Sequence, residues 1–220
     1  STIRACRQAE TAERGPAFCP TKVDGDGIAG ARAEYDDPDI QRISKASAEV
    51  EAEGYCVWTR VEEICVFARK MEYRKLGIAT CISFVDHART LSGIFESHGF
   101  EVASVACKNG EVPKEDIGLR DDQKIRPGAH ESMCNPVSQA ELLDRAGSDF
   151  NVILGLCVGH DSLFFRYSKA PCTVLVTKDR VLAHNPIGAL QLADSYFSRV
   201  WGPDRPDKPH MKPAQGRRKS

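Results

Sequence analysis

The chain lacks a long apolar run and an excess of charge of either sign, and its first residues contain no apolar stretch. In 220 residues, no hydrophobic stretch approaches the roughly 18 residues that a membrane-spanning helix needs. Thirty basic residues stand against 31 acidic ones, and this balance does not favour binding to nucleic acid or to a membrane surface. The opening segment STIRACRQAETAERG has no signal-peptide core. We therefore expect a cytoplasmic protein.

Familiar cysteine and serine motifs are also missing. No two cysteines have the spacing of a CxxC pair, and neither zinc-finger nor ferredoxin spacing occurs. The segment GLCVGHDS resembles a hydrolase nucleophile elbow only loosely, because the GxSxG pattern is absent. Motif matching therefore identifies neither a metal site nor a hydrolase.

What the sequence has in excess is cysteine, with nine residues. In a reducing cytoplasm they are not expected to form a disulfide framework, and the odd number argues against complete pairing. Such cysteines are core residues, metal ligands or catalytic thiols. Their positions relative to the predicted strands separate these classes.

Apolar periodicity predicts helices and strands in alternation after residue 36. Each predicted strand is almost continuously apolar, which is typical of parallel strands covered on both faces. Right-handed crossovers then give a doubly wound α/β fold, with a mostly parallel four-stranded sheet, helices on both faces and strand order 2-1-3-4. The predicted strands are KLGIATCISF, FEVASVAC, DFNVILGLC and CTVLVTK. The predicted helices are Asp37 to Glu53, RVEEICVFARKMEYR, one that starts at Asp86, CNPVSQAELLDRAG, HDSLFFRYSKA and NPIGALQLADSYFSRVW.

Three parts of the chain differ in composition. Residues 1–36 hold Cys6 and Cys19 among charges, Gly and Pro, and are predicted to form an irregular cap. Residues 37–202 form the cysteine-rich α/β domain. Residues 203–220 are Pro-rich and basic and are expected to be a disordered tail.

Cysteines end three of the four predicted strands. Cys81, Cys107 and Cys157 each lie at a strand carboxyl end, and Cys134 directly precedes a helix whose cap is Asn135. Ligands of open α/β sheets bind outside the carboxyl ends of the strands, so these thiols should meet at one edge. Thiolates suit zinc and iron–sulfur clusters. The sequence therefore predicts a metal or cluster site with a redox or metal-handling role.

Several residues near this edge admit more than one interpretation. His160, three residues after Cys157, could be a ligand or a proton carrier. Alternatively, the protein is a metal-free thiol enzyme in which Cys157 is the nucleophile and His160 the acid and base. Its small anionic substrate would bind Lys178, Arg180 and His184, which follow the fourth strand and are equally compatible with an ordinary loop.

The remaining cysteines are assigned on local context. Cys65 lies on the edge of a helical apolar stripe and Cys172 at a strand start, so both are predicted to fill the core. Cys56 follows the predicted end of a helix, and its context favours none of the three roles. Cys6 and Cys19 could bind a second metal, cover the first site or be solvated structural residues.

Six motifs carry a resemblance to a known family: RVEEICVFARKM, KLGIATC, GFEVASVACKNGEVPKEDIG, IRPGAHESMCNPVSQAELL, GLCVGHDSLFFRYSKAP and KDRVLAHNP. With them the chain resembles domain of unknown function family eighteen forty-seven, whose prokaryotic members are frequent in anaerobes and are described as candidate metal-binding proteins. The resemblance covers about residues 54–200 and the start of the chain, and it implies no reaction. It implies that the family pattern has cysteine or histidine at eight positions of this chain: Cys6, Cys19, Cys81, Cys107, Cys134, Cys157, His160 and His184.

Overall fold

The computed structural model describes residues 5–8 and 14–202. Four parallel strands form one sheet in the order β2-β1-β3-β4, which confirms the predicted α/β fold and strand order. The strands are β1 Lys75–Thr80, β2 Glu101–Ala106, β3 Phe150–Leu156 and β4 Cys172–Thr177.

Helices precede the sheet and alternate with its strands. None of those in the described residues is long and apolar enough to cross a bilayer. The α-helices are α1 Pro20–Val23, α2 Gly25–Ala33, α3 Pro38–Gly54, α4 Arg60–Lys70, α5 Val85–Ser97, α6 Pro136–Arg145, α7 His160–Tyr167 and α8 Ile187–Gln191. Short 3-10 turns lie at Ala5–Gln8, Glu34–Asp36, Ile82–Phe84, Lys114–Ile117, Asp121–Gln123 and Ser198–Val200.

Local capping explains where several helices begin. The Asp37 carboxylate accepts the backbone N–H of Asp39 and Ile40 at the start of α3. Thr59 and Glu62 form a reciprocal capping box on α4. The Asn135 side chain caps α6, as predicted, and fixes the position of the helix start. These caps satisfy backbone N–H groups that no helical carbonyl can reach.

A buried glutamine attaches α6 to the sheet. Gln139 is fully buried, and its Nε2 donates to the carbonyl of Thr80 at 3.1 Å and to that of Val105 at 2.7 Å. Those carbonyls lie at the carboxyl ends of β1 and β2. The start of α6 is consequently held over the same edge of the sheet, together with Cys134, which precedes it.

Two segments differ from their predicted structure. Residues 20–36, expected to be irregular, form short helices because Pro20 starts α1 and the Asp24 carboxylate caps α2 at Gly27. The predicted closing helix is broken: α8 ends at Gln191, and the Trp201 indole donates to the Ala193 carbonyl. The predicted disordered tail, residues 203–220, lies outside the described residues.

The long polar segment 108–133 is an ordered lobe. A backbone bridge pairs Pro113 with Ser132. Lys124, only 8% exposed, donates to the carboxylates of Glu115 at 2.8 Å and Asp121 at 2.6 Å. The bridge joins the two ends of the lobe, which are flanked by Cys107 and Cys134.

We expect Lys124→Gln to loosen this lobe, because two carboxylates would lose their shared cation. Proteolytic cleavage within residues 108–133 should become faster by at least about tenfold. Lys169→Gln is the matched control: Lys169 pairs with Asp144 but is 77% exposed, and such surface pairs contribute little. Equal cleavage rates in both variants would contradict this role of Lys124.

Candidate thiol centre at the sheet edge

Backbone hydrogen bonds gather the carboxyl ends of the strands. The Cys81 N–H donates to the Leu154 carbonyl at 3.1 Å, and the Cys107 N–H donates to the Thr80 carbonyl at 2.9 Å. The Asn135 N–H in turn donates to the Cys107 carbonyl at 2.7 Å. Segments that are distant in sequence are thus joined at one edge of the sheet, each next to a cysteine.

The thiol of Cys107 interacts with those of Cys81 and Cys134. Its sulfur also accepts the backbone N–H of Ile82 at 3.3 Å. Cys107 is 1% exposed and Cys81 6%, whereas Cys134 is half-buried. We call Cys81, Cys107 and Cys134 the inner thiols.

The pKa values of the inner thiols are shifted in different directions. Hydrogen bonding with Cys107 lowers the pKa of Cys81, with further contributions from Ser83 and Lys178. The same interaction lowers the pKa of Cys134. Its two neighbours, helped by burial, raise the pKa of Cys107. Cys81 and Cys134 therefore favour the thiolate form, while Cys107 keeps its proton.

His160 is the first residue of α7, and its imidazole interacts with the Cys134 side chain. The pKa of Cys134 is lowered most by Cys107 and next by this interaction with His160. The same interaction raises the pKa of His160. The Nδ1 atom of His160 is buried and has no hydrogen-bond partner among the described residues. The residue that interacts with Cys134 hence carries a buried nitrogen whose lone pair or proton has no partner in the described part of the chain.

Cys157, which follows β3, has a different partner. The Arg180 guanidinium Nη2 donates to the Cys157 sulfur at 3.2 Å. Within the described part of the chain, no hydrogen bond joins the side chains of Cys157 and His160. The structure thus associates the predicted nucleophile with an arginine and the predicted acid–base residue with Cys134.

The predicted anion-binding residues after β4 each contact another part of the protein. Lys178 donates to the Ser83 hydroxyl at 2.7 Å and lies 4.2 Å from the Phe84 ring centroid. His184 accepts the Asp179 N–H through Nδ1 at 3.1 Å. Lys178 is therefore coupled to Cys81 through Ser83, whose hydroxyl is 3.3 Å from the Cys81 sulfur.

Sequence reasoning did not single out Ser83 or Lys108 as neighbours of the thiols. Lys108 acts on Cys134 electrostatically and hydrogen-bonds to the Ser132 carbonyl. Their closeness in sequence could have identified them, because each follows a strand-end cysteine by one or two positions.

The other cysteines lie elsewhere. Cys65 is fully buried on α4, and Cys172 is half-buried at the start of β4, positions that suit core residues. The Cys6 sulfur is 3.8 Å from the Thr21 hydroxyl, and Cys19 directly precedes α1. A role for Cys6 or Cys19 in a metal site remains a prediction.

The inner thiols are not arranged around an ion as they stand. Across residues 5–8 and 14–202, no group of three or more His, Cys, Asp or Glu side chains has a geometry that could hold one. Binding of an ion by these side chains would require them to rearrange.

Fold and site together define an α/β protein with a thiol-rich centre at the carboxyl edge of a parallel sheet. The chain belongs to the family described as Protein of unknown function (DUF1847), which matches residues 19–175. It is 47% identical over 157 residues to Uncharacterized protein MJ0455 of Methanocaldococcus jannaschii, covering 71% of this chain and 79% of that protein. The family match, residues 19–175, includes the inner thiols, Cys157 and His160, and ends before Lys178.

Proposed function

We propose that this protein binds a soft divalent metal ion, Zn²⁺ in the first instance, and handles it as cargo. The ligands would be Cys81, Cys107, Cys134 and His160. The observation that carries the proposal is that hydrogen bonds hold Cys107 against the residues next to Cys81 and Cys134, which come from separate segments of the chain. Chance burial of cysteine in a core gives no reason for three to meet where parallel strands end.

The chemistry of the donors supports zinc. Three thiolates and one imidazole are a common tetrahedral set for this ion. A ligating thiol must lose its proton, and the lowered pKa of Cys81 and Cys134 reduces that cost. His160, whose imidazole interacts with Cys134 and whose buried Nδ1 has no hydrogen-bond partner among the described residues, would supply the fourth donor.

Nearby cations support an anionic complex. Zinc bound by three thiolates and a neutral imidazole has one negative charge in excess. Lys108 acts on Cys134, Lys178 on Cys81, and Arg180 on both of these thiols as well as on Cys157. These cations would offset the charge of the complex in a partly dehydrated setting, where an uncompensated charge is costly.

An iron–sulfur cluster would need a different ligand set. Cubane clusters are held by four thiolates, so Cys157 would replace His160 as the fourth ligand. Cluster binding would therefore release Cys157 from Arg180, whereas zinc binding by the proposed set would not.

Metal analysis of protein purified without oxygen tests the proposal. We expect about one zinc per chain after dialysis against zinc and removal of loosely bound ions. Stoichiometric iron and sulfide would assign a cluster instead. Failure to retain either zinc or a cluster would contradict a metal-handling function.

A second candidate is metal-free thiol chemistry at Cys157, favoured by the 3.2 Å contact with Arg180. A neighbouring arginine stabilises a thiolate nucleophile, and Lys178 and Arg180 could bind a small anionic substrate. Selective alkylation of Cys157 by iodoacetamide at about pH 6 would support it. Equal labelling of Cys157 and Cys134 would count against it.

A further inference from the structure

Cys81 and Cys107 are neighbours across two parallel strands. The register of β1 and β2 pairs Thr80 with Ala106, so the next residue along each strand is a cysteine. The Cys107 N–H continues the ladder by donating to the Thr80 carbonyl at 2.9 Å. Neighbouring strands lie about 4.8 Å apart, and disulfides join residues whose Cα atoms are about 4.4–6.8 Å apart. The backbones of these two cysteines are therefore spaced for a disulfide bond.

The Cys107 sulfur lies against the backbone of Cys81. It accepts the N–H of Ile82 at 3.3 Å, and this nitrogen is bonded to the carbonyl carbon of Cys81. Both cysteines carry free thiols, and the two thiols interact with each other. The pair is hence a dithiol whose two sulfurs come from strands that the sheet holds side by side.

A chain of hydrogen bonds favours Cys81 as the attacking thiol. Lys178 donates to the Ser83 hydroxyl oxygen at 2.7 Å, because an ammonium group can only donate. The hydroxyl hydrogen of Ser83 is thereby left for the Cys81 sulfur, which lies 3.3 Å from the hydroxyl oxygen. A hydroxyl donor backed by a cation stabilises a thiolate, and the thiolate is the form that attacks a disulfide.

A cavity beside the pair gives a small molecule access to it. Its volume of about 600 Å³ lies within the range of small-molecule sites. Ile82, which follows Cys81, lines the cavity, and so do Ala106 and Lys108, which flank Cys107. Four polar residues complete the lining: Asn109, Glu111, His130 and Ser132. A small polar molecule in this cavity would lie one residue away from each thiol.

We infer that Cys81 and Cys107 are a dithiol–disulfide couple that exchanges with low-molecular-weight polar disulfides taken up in this cavity. Cys81 is the attacking thiol, Cys107 is the resolving thiol, and Ser83 is the positioning residue of Cys81. This activity goes beyond the proposed metal binding, because it requires only the two thiols and a small disulfide.

The small disulfide is the oxidant of the reaction. The Cys81 thiolate attacks one of its sulfurs, forms a mixed disulfide and displaces the other half as a thiolate. Cys107 then loses its proton, and its sulfur attacks the Cys81 sulfur and displaces the second half. Two protein thiols are oxidised to one disulfide, the small disulfide is reduced to two thiols, and the two cysteine protons end on those thiols.

Peptide mapping after oxidation tests the couple. Reduced, metal-free protein is incubated with hydroxyethyl disulfide, its remaining free thiols are alkylated, and it is digested with trypsin, which cuts after Arg89 and so separates Cys81 from Cys107. We expect a disulfide-linked pair of peptides that joins these two cysteines and that an excess of mercaptoethanol separates again. A bond from either cysteine to Cys134 in its place, or no bond between Cys81 and Cys107, would overturn the inference.

The rate of bond formation tests the role of Ser83. Ser83→Ala should form the same bond more slowly by about fivefold or more, because Cys81 loses its donor. Ser83→Thr keeps the hydroxyl and should restore much of the rate. Ser97→Ala removes a hydroxyl that bonds to the Ile94 carbonyl on α5, and it should react at the wild-type rate. A wild-type rate in Ser83→Ala would show that this hydroxyl does not activate Cys81.

Zinc and iron measured on the same protein separate this inference from the proposed function. A chain that forms the bond between Cys81 and Cys107 but retains neither zinc nor a cluster would overturn the proposed function alone. A chain that retains zinc but does not form this bond when metal-free would overturn the inference alone.

Discussion

The Cys107→Ser variant is expected to lose stoichiometric zinc binding. Cys107 is the thiol that interacts with both other inner thiols, and the substitution removes one of the three proposed sulfur ligands. The affinity of the variant for zinc should fall by more than about 100-fold, which is a larger loss than substitutions of residues around the ligands typically cause. Competition with a chelator of known affinity measures the change.

Cys65→Ser is the matched control for this variant. Cys65 is as fully buried as Cys107 but lies on α4, in the core, where burial raises its pKa. Both substitutions place a hydroxyl in a buried site and should lower the melting temperature. Only Cys107→Ser should lower zinc affinity. Equal affinities in the two variants would show that Cys107 is not a ligand.

The Gly155→Ala variant is expected to be strongly destabilised. Gly155 has φ +72° within an irregular part of β3, where the pairing with β4 changes register. A Cβ atom there would lie 2.5 Å from the Phe84 ring. Left-handed strain and overpacking together should lower the free energy of unfolding by about 2–4 kcal/mol. Chemical denaturation measures this loss.

The Gly159→Ala variant separates the effect of backbone strain from that of a steric clash with Phe84. Gly159 also has a left-handed backbone, with φ +85°, but nothing lies within 4 Å of the position of its Cβ. Its free energy of unfolding should fall by only about 1 kcal/mol. If both variants lost the same amount, contact with Phe84 would not explain the larger effect.

Much of the architecture could be predicted because it depends on local patterns. Continuous apolar runs identified four buried strands, and parallel topology placed the residues that follow them at one edge. The Asn-Pro pair at residues 135 and 136 identified the start of α6, and with it the place of Cys134. These inferences needed only the order of apolar, capping and turn residues along the chain.

The partners of individual side chains could not be predicted in the same way. Proximity in sequence associated His160 with Cys157, but the imidazole at the start of α7 lies against Cys134 because α6 and α7 pack together. The contact between Arg180 and Cys157 likewise depends on how the loop after β4 turns. Such contacts depend on tertiary packing, which residue spacing does not specify.

The closing of the 108–133 lobe is a further example. Its acidic and basic residues predict a polar connection, but they do not reveal that Lys124 is buried between Glu115 and Asp121. The lobe matters because its two ends are flanked by Cys107 and Cys134. Part of the candidate site therefore depends on a segment that has little apolar pattern.

X-ray absorption of the zinc-loaded protein tests the central claim most directly, because it counts the ligand types around the ion. Binding by the inner thiols and His160 predicts about three sulfur atoms near 2.3 Å and one nitrogen near 2.0 Å. A shell of oxygen and nitrogen atoms with one sulfur or none would contradict the proposal that the thiols at the sheet edge form a metal centre.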